Sequence, residues 1–386
     1  MSYLPSLLAL EDGTILHGQS YGAEGEVCAE VVFNTSLTGY QEILTDASYR
    51  GQMIVMTCPH IGNVGVNEQD YESPRAQAAA LIAREIESVP SNWRATKALP
   101  DWLREQNVLA ISSVDTRALT RRLRERGVMK GIVSTIEDSA ARLVKKACAW
   151  AGLDGRDLVR EVTCDEPYTW TEKPLDEFAP TQYATRNTPH VSRITQHVSA
   201  PHIVVYDFGV KRNILRCLVA RGCRVTVVPA MTSAQEALVL KPDGILLSNG
   251  PGDPAALPYA AETIRRLLDK DIPIFGVCLG HQLLGIALGG RTYKLKFGHH
   301  GSNHPVIRLA SGCIAITAQN HNYGVVADSL DPSRVEITHH SLNDGCVEGL
   351  RLKGAPVFSV QYHPESSPGP HDSDDLFDMF LQSIGV

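Results

Sequence analysis

No apolar run in this sequence approaches the roughly 18 residues that a bilayer-spanning helix needs, so no transmembrane segment is expected. Met1–Leu10 has no basic stretch ahead of a long apolar one, which argues against a secretory signal. There is no C-x-x-C pair. The nine cysteines are odd in number and scattered, which excludes a disulfide framework and points to reduced thiols in a cytoplasm. Basic excess is also missing: 36 Lys and Arg face 43 Asp and Glu, a net charge of −7, unlike a general nucleic-acid binder. Neither a G-x-x-x-x-G-K-[ST] loop nor a G-x-G-x-x-G turn occurs, so the chain shows no recognisable nucleotide site. No internal repeat or low-complexity tract is present.

What is present is an ordinary globular composition, 43% hydrophobic and 20% charged over 386 residues. That length predicts two or three domains. A polar, turn-rich stretch from Asp165 to Pro201 holds Pro167, Pro174, Pro180 and Pro189. It lacks periodicity and reads as a linker with some short structure. The expected division is therefore a domain over 1–164, a linker over 165–200 and a domain over 201–386.

The first domain opens with β-like runs at Ser6–Leu10, Ile15–Gly18, Val27–Asn34 and Met53–Thr57. Helical patterns follow at Ala76–Ile86 and Asp115–Arg126, the second with Asp115 as N-cap and Gly127 beyond its end. This half reads as α+β. The second half alternates. Strands are expected at Ile203–Tyr206, Arg224–Val228, Ile245–Leu247 and Pro273–Val277. Helices are expected at Lys211–Arg221, Ser233–Leu240, Ala260–Leu268 and Gly280–Leu288. That order predicts a mostly parallel, helix-flanked sheet in an α/β fold, with antiparallel strands after Gly290. Ligands in such folds bind at the carboxyl ends of the strands.

Three segments at those ends carry chemistry. Gly276-Val277-Cys278-Leu279-Gly280 places a cysteine between an apolar strand and an apolar helix, the nucleophile-elbow pattern with Cys for Ser. A thiol there meets the helix dipole, which favours thiolate, and backbone N–H groups that can hold an oxyanion. A free cysteine is usually a buried structural one, and that reading is kept for the other eight. His363-Pro364-Glu365 follows the strand Val357–Gln361. Pro364 keeps His363 extended, so residues 363 and 365 point the same way, and the carboxylate can hold the imidazole in one tautomer. Asn249-Gly250-Pro251-Gly252-Asp253-Pro254 is a rigid loop after a strand. It is either a loop that brings backbone N–H groups to a substrate or an ordinary turn. His299, His300 and His304 are close enough to suggest a metal, but their spacing matches no zinc signature and no neighbouring Cys or carboxylate joins them. No metal is expected. The basic run Arg117, Arg121, Arg122, Arg124 and Arg126 reads as a solvated or partner-facing surface.

Together, 276–282, 249–254 and 363–365 resemble the triad-type glutamine amidotransferases, in which the cysteine attacks the side-chain amide of glutamine. The first domain narrows this. Segments 34–42, 59–65 and 114–120, together with 207–215, 297–301 and 364–371, resemble carbamoyl-phosphate synthase small subunits over essentially the whole chain. The resemblance implies Cys278, His363 and Glu365 as the catalytic set. It also implies glutamine contacts at Ser48, Gly250, Gly252, Leu279, Gln282, Asn320, Asn322 and Tyr323. Asn322 stands where the family pattern has Gly, and Tyr323 where it has Phe; asparagine tolerates the left-handed conformation a glycine would supply. The implied activity is glutamine hydrolysis through a Cys thioester, with ammonia passed to a large subunit. That subunit would make carbamoyl phosphate from bicarbonate and two Mg-ATP, for arginine and pyrimidine synthesis. No cofactor is implied on this chain. The implied assembly is a heterodimer or an oligomer of heterodimers, cytoplasmic, without nucleic acid or membrane. Two other readings remain: a stand-alone Cys hydrolase of γ-glutamyl amides, and a non-catalytic scaffold with an inactive amidotransferase domain.

Overall fold

A computed structural model describes residues 4–174 and 200–385. Pro180 and Pro189 of the expected linker lie outside the described residues.

The first half closes a β-barrel. Around it run Pro5–Leu10, Ile15–Ser20, Leu109–Ser112, Ala80–Ile82, Gln52–Met56, Glu26–Asn34 and Met129–Ser134, which returns to the first strand. Alternation sets its two layers. Val31, Phe33, Met53, Val55 and Ile82 pack inside with Leu8, Leu10 and Ile111. Val32, Ile54, Met56 and Leu81 point outward, against Tyr40, Leu44, Trp102 and Leu103.

This corrects one expectation. Ala76–Ile86 is not a helix: Ala80–Ile82 is a parallel barrel strand between Gln52–Met56 and Leu109–Ser112. A strand buried on both faces reads as a continuous apolar run, which alanine makes look helical. Thr116–Arg126 is the expected helix. Asp115 accepts a hydrogen bond from the Ala118 N–H at 2.9 Å, and Gly127 has φ 98°.

The second half is one sheet. Its parallel centre runs Arg224–Pro229, His202–Asp207, Gly244–Leu247, Ile274–Val277 and Val357–Val360. Helices cover both faces. Leu279 and Leu283 pack on Tyr206, Leu247 and Ile274; Ile214, Phe377 and Phe380 pack on Val205, Leu246 and Phe275. An antiparallel wing follows, built from Val347–Leu352, Val335–Ser341, Thr292–Arg308 and Ile314–Val325. Tyr168–Trp170, inside the expected linker, adds an antiparallel strand to the opposite edge. Among the described residues no helix is long and apolar enough to cross a membrane.

The two halves meet at the carboxyl end of the parallel strands. The Thr35 N–H donates to the His300 carbonyl at 3.2 Å, and Lys294 pairs with Glu30 at 2.7 Å.

Candidate active site

Cys278 is the hinge between the strand Ile274–Val277 and the helix Leu279–Ala287, with φ 53° and ψ −103°. A non-glycine residue held there is strained, and such strain persists only where its surroundings enforce it. The flanking glycines show how tight the turn is. A Cβ on Gly280 would stand 2.2 Å from the Leu247 carbonyl oxygen, and one on Gly276 would stand 2.9 Å from that of Gly280. The Cys278 N–H is taken by the Val360 carbonyl at 2.9 Å. Leu279, the first helical residue, carries one of the N–H groups that no turn of its own helix can satisfy.

His363 and Glu365 lie side by side as the extended reading expects. Glu365 Oε1 is 2.7 Å from His363 Nδ1, and both side chains are buried. The His363 backbone is tied to the antiparallel wing by its N–H, which donates to the Ala318 carbonyl at 2.9 Å. Its Nε2 is buried without a hydrogen-bond partner. Burial pulls the His363 pKa down, but Glu365 and then Cys278 reverse this and hold it above the ordinary histidine value. Glu365 is likewise driven up by burial and brought well below its ordinary value by Lys211 and His363. Lys211 Nζ stands 2.9 Å from the same Oε1 and also donates to the Ser366 carbonyl. Lys211 lies in the segment 207–215 that carries the family resemblance, but no local pattern pairs it with Glu365. It sits at the head of a helix, Arg212–Ala220, more than 150 residues from its partner.

A cavity of about 20 Å³ lies beside Cys278. Ser48, Gly250, Gly252, Gln282, Asn320, Asn322 and Tyr323 line it. Seven of the eight expected glutamine contacts therefore converge on one space. The eighth, Leu279, adjoins Cys278 and packs against Gly250, where a Cβ would meet Leu279 Cδ2 at 2.8 Å.

Two comparisons with known proteins show the family. A family model described as glutamine amidotransferase class-I matches residues 204–383. One described as carbamoyl-phosphate synthase small chain, CPSase domain, matches residues 8–133. The chain is 52% identical over 377 residues to the carbamoyl phosphate synthase small chain of Syntrophotalea carbinolica, covering 98% of this chain and 97% of that one. It is 51% identical over 382 residues to the small chain of Salmonella typhi, covering 98% and 97%. It is 51% identical over 378 residues to the chloroplastic small chain of Oryza sativa subsp. japonica, covering 98% and 81%. The chain belongs to the carbamoyl phosphate synthase small chain family.

In this small chain the wall of the cavity is braced across the two halves. Asn249 Nδ2 donates to Ser48 Oγ at 3.0 Å, and Asn320 Nδ2 donates to Asp46 Oδ2 at 2.8 Å. Asp46 and Asn249 were not singled out from sequence; Asn249 opens the segment 249–254, and Asp46 lies two residues before Ser48. Gln52 and His321 also line the cavity unpredicted. Gln282 Nε2 donates to the Tyr323 carbonyl at 2.8 Å and to Gln361 Oε1 at 3.1 Å.

Asn322 behaves differently from the expectation for a glycine replacement. It lies in the regular strand Ile314–Val325 and is not among the residues of positive φ. Its side-chain Oδ1 stands 3.0 Å from His300 Nε2. The bond from Asn320 Nδ2 to Asp46 turns Asn320 Oδ1 toward His300 Nδ1, also at 3.0 Å. The amide oxygens of Asn320 and Asn322 thus face the two ring nitrogens, and a neutral ring donates to one of them. Burial lowers the His300 pKa to about 4, so the ring is neutral. The two asparagines and His300 thus form one wall, and the left-handed conformation is not needed. The basic helix points elsewhere: Arg117, Arg121 and Arg124 line a groove of about 410 Å³ with Thr57, Thr116 and Thr120.

Proposed function

We propose that Cys278, His363 and Glu365 hydrolyse the side-chain amide of glutamine, and that this chain delivers the ammonia to a large synthetase subunit. The observation that carries this is the strained cysteine beside a cavity whose walls are the expected glutamine contacts, within a family of small chains. The Cys278 thiolate attacks the amide carbon, and the oxyanion forms against the Leu279 N–H. His363 Nε2–H protonates the departing nitrogen, leaving a thioester and ammonia. His363 then takes a proton from water, hydroxide adds to the thioester, and glutamate leaves as Cys278 is restored. Glu365, fixed by Lys211, holds His363 in the Nδ1–H tautomer and steadies its positive charge. Ser48, Gln282, Asn320, Asn322 and Tyr323 hold the amino-acid end, and Gly250 and Gly252 contact it through backbone.

Ammonia needs a route that excludes bulk water. A second cavity of about 20 Å³, room for about one water-sized molecule, is lined by His363, Asn320, Lys211, Glu42, Ser367 and Pro368. An outer cavity of about 460 Å³ shares Glu42, Ser367 and Pro368 with it. This supports release on that side, toward a partner carrying both Mg-ATP sites; the present chain then needs no cofactor. The assembly is a heterodimer or an oligomer of heterodimers in the cytoplasm, where the nine cysteines stay free. Its product serves arginine and pyrimidine synthesis.

The test is Cys278→Ser in the assembled complex. Glutamine hydrolysis is lost while carbamoyl phosphate is still made from added ammonia. Near-normal glutaminase in this variant overturns the assignment. Equal wild-type rates with and without the large subunit, bicarbonate and ATP favour a stand-alone hydrolase.

A further inference from the structure

The histidines of segment 299–304 gain in three dimensions what they lack in sequence. His299 on strand Thr292–Arg308, His321 on Ile314–Val325 and Glu348 on Val347–Leu352 bring one ligand atom each to within 4.8 Å of one another. All three are buried, with exposures of 6%, 5% and 0%. His321 lies between Asn320 and Asn322 on the strand that walls the glutamine cavity.

The hydrogen bonds around the cluster do not close. His299 Nε2 is 2.9 Å from Asp344 Oδ2 and donates to it. Nδ1 faces Glu348 Oε1 at 3.7 Å, and both atoms are buried without a hydrogen-bond partner. His321 is frustrated in the same way. Its Nδ1 faces the Tyr323 carbonyl and its Nε2 faces Gln319 Oε1, both at 2.8 Å. Gln319 cannot turn its amide over, because Nε2 donates to Glu348 Oε2 at 2.9 Å. Either neutral tautomer of His321 therefore leaves a lone pair against a carbonyl oxygen. Buried acceptors that face one another need a cation between them.

We propose that this cluster is a divalent transition-metal site of zinc type, with His299 Nδ1, His321 Nε2 and Glu348 Oε1 as ligands. Zinc–nitrogen and zinc–oxygen bonds of about 2.0–2.2 Å place tetrahedral ligands about 3.4 Å apart. The 3.7 Å between His299 and Glu348 needs an adjustment of only a few tenths of an ångström. The outer contacts are those of metal-bound histidines: Nε2–H of His299 is held by the Asp344 carboxylate, and Nδ1–H of His321 by a backbone carbonyl. His304 lies nearby, with a buried Nδ1 that has no hydrogen-bond partner and a ring 5.3 Å from that of His299. On binding, Gln319 Oε1 swings aside. The ion then ties three strands together at the glutamine wall, a structural role in which Cys278 is not a ligand.

The test uses the full chain with Cys278→Ser, so that the reactive thiol cannot bind metal. After chelator treatment and desalting, the protein is loaded with Zn²⁺ or Co²⁺ and passed through gel filtration. A single equivalent of metal is retained per chain, Co²⁺ gives the visible bands of a tetrahedral nitrogen–oxygen site, and Zn²⁺ raises the melting temperature. Glu348→Gln, which keeps the shape of the side chain, abolishes all three signals. Asp344→Asn, in a partly exposed turn, weakens binding by about 10–100-fold through the loss of its hold on His299. Failure of the parent chain to retain metal overturns the proposal and leaves a proton between His299 and Glu348. So does retention unchanged in both Glu348→Gln and Asp344→Asn.

Discussion

Replacing Glu365 by Gln separates two jobs that the carboxylate performs at once. Oε1 alone accepts from His363 Nδ1, at 2.7 Å, and from Lys211 Nζ, at 2.9 Å. Oε2 has no partner. A glutamine can keep its oxygen at Oε1 and put its amide group where Oε2 was, so no hydrogen bond is broken and the His363 tautomer is preserved. What disappears is the negative charge. A carboxylate in contact with a buried imidazole raises its pKa by about 1–3 units. Glu365→Gln removes that rise, so the pKa of His363 falls by the same amount. At about 1.4 kcal/mol per unit, the imidazolium loses roughly 1.4–4 kcal/mol of support. If the transition state carries that full charge, kcat/KM falls by about 10- to 1000-fold. The glutamine KM stays close to its original value, because no cavity-lining residue has changed. The assay is glutamate release by the complex across the pH range, with Glu365→Ala beside it. The alanine removes the acceptor as well, so its loss must be larger. A drop in Glu365→Gln as deep as in Glu365→Ala, with an unmoved pH profile, would refute the electrostatic reasoning. It would mean that the amide cannot preserve the tautomer.

Three other outcomes are expected. His363→Asn removes most glutamine hydrolysis and is more damaging than Glu365→Gln, because no other group of the motif can accept and return the proton; the two rates measured side by side check the order. Gly280→Ala yields a chain destabilised by about 1–3 kcal/mol or more, since the added Cβ meets backbone at 2.2 Å, and denaturant unfolding reads the loss. Calorimetry of the purified chain with Mg-ATP shows no tight, stoichiometric site; finding one contradicts placing both ATP steps on the large subunit.

Much of the C-terminal sheet was legible because its strands and helices are separated by glycine and proline, and because parallel strands buried on both faces read as plain apolar runs. The cysteine elbow and the His363–Glu365 pair were legible for a local reason: strand, turn and two-residue spacing dictate where those side chains point. The barrel was not. Its closure depends on Ala80–Ile82 pairing with strands about 25 residues away on either side, and no local pattern distinguishes that run from a helix. The bracing of the site escaped for the same reason. Asp46 meets Asn320, and Lys211 meets Glu365, across 274 and roughly 150 residues. Glu348 meets His299 only through the order of strands in the antiparallel wing. Long-range pairing of single polar residues leaves no periodic signal.

The size of the space beside Cys278 has a kinetic consequence. At about 20 Å³ it has room for about one water with the lining side chains as they stand. Glutamine is therefore admitted only by a more open form of the chain. Part of the wall around it is the seam between the halves, where Asn249 and Asn320 are bonded to Ser48 and Asp46. Apparent affinity then scales with the fraction of time the seam stands open. Whatever holds the first half in place also sets how often glutamine gets in.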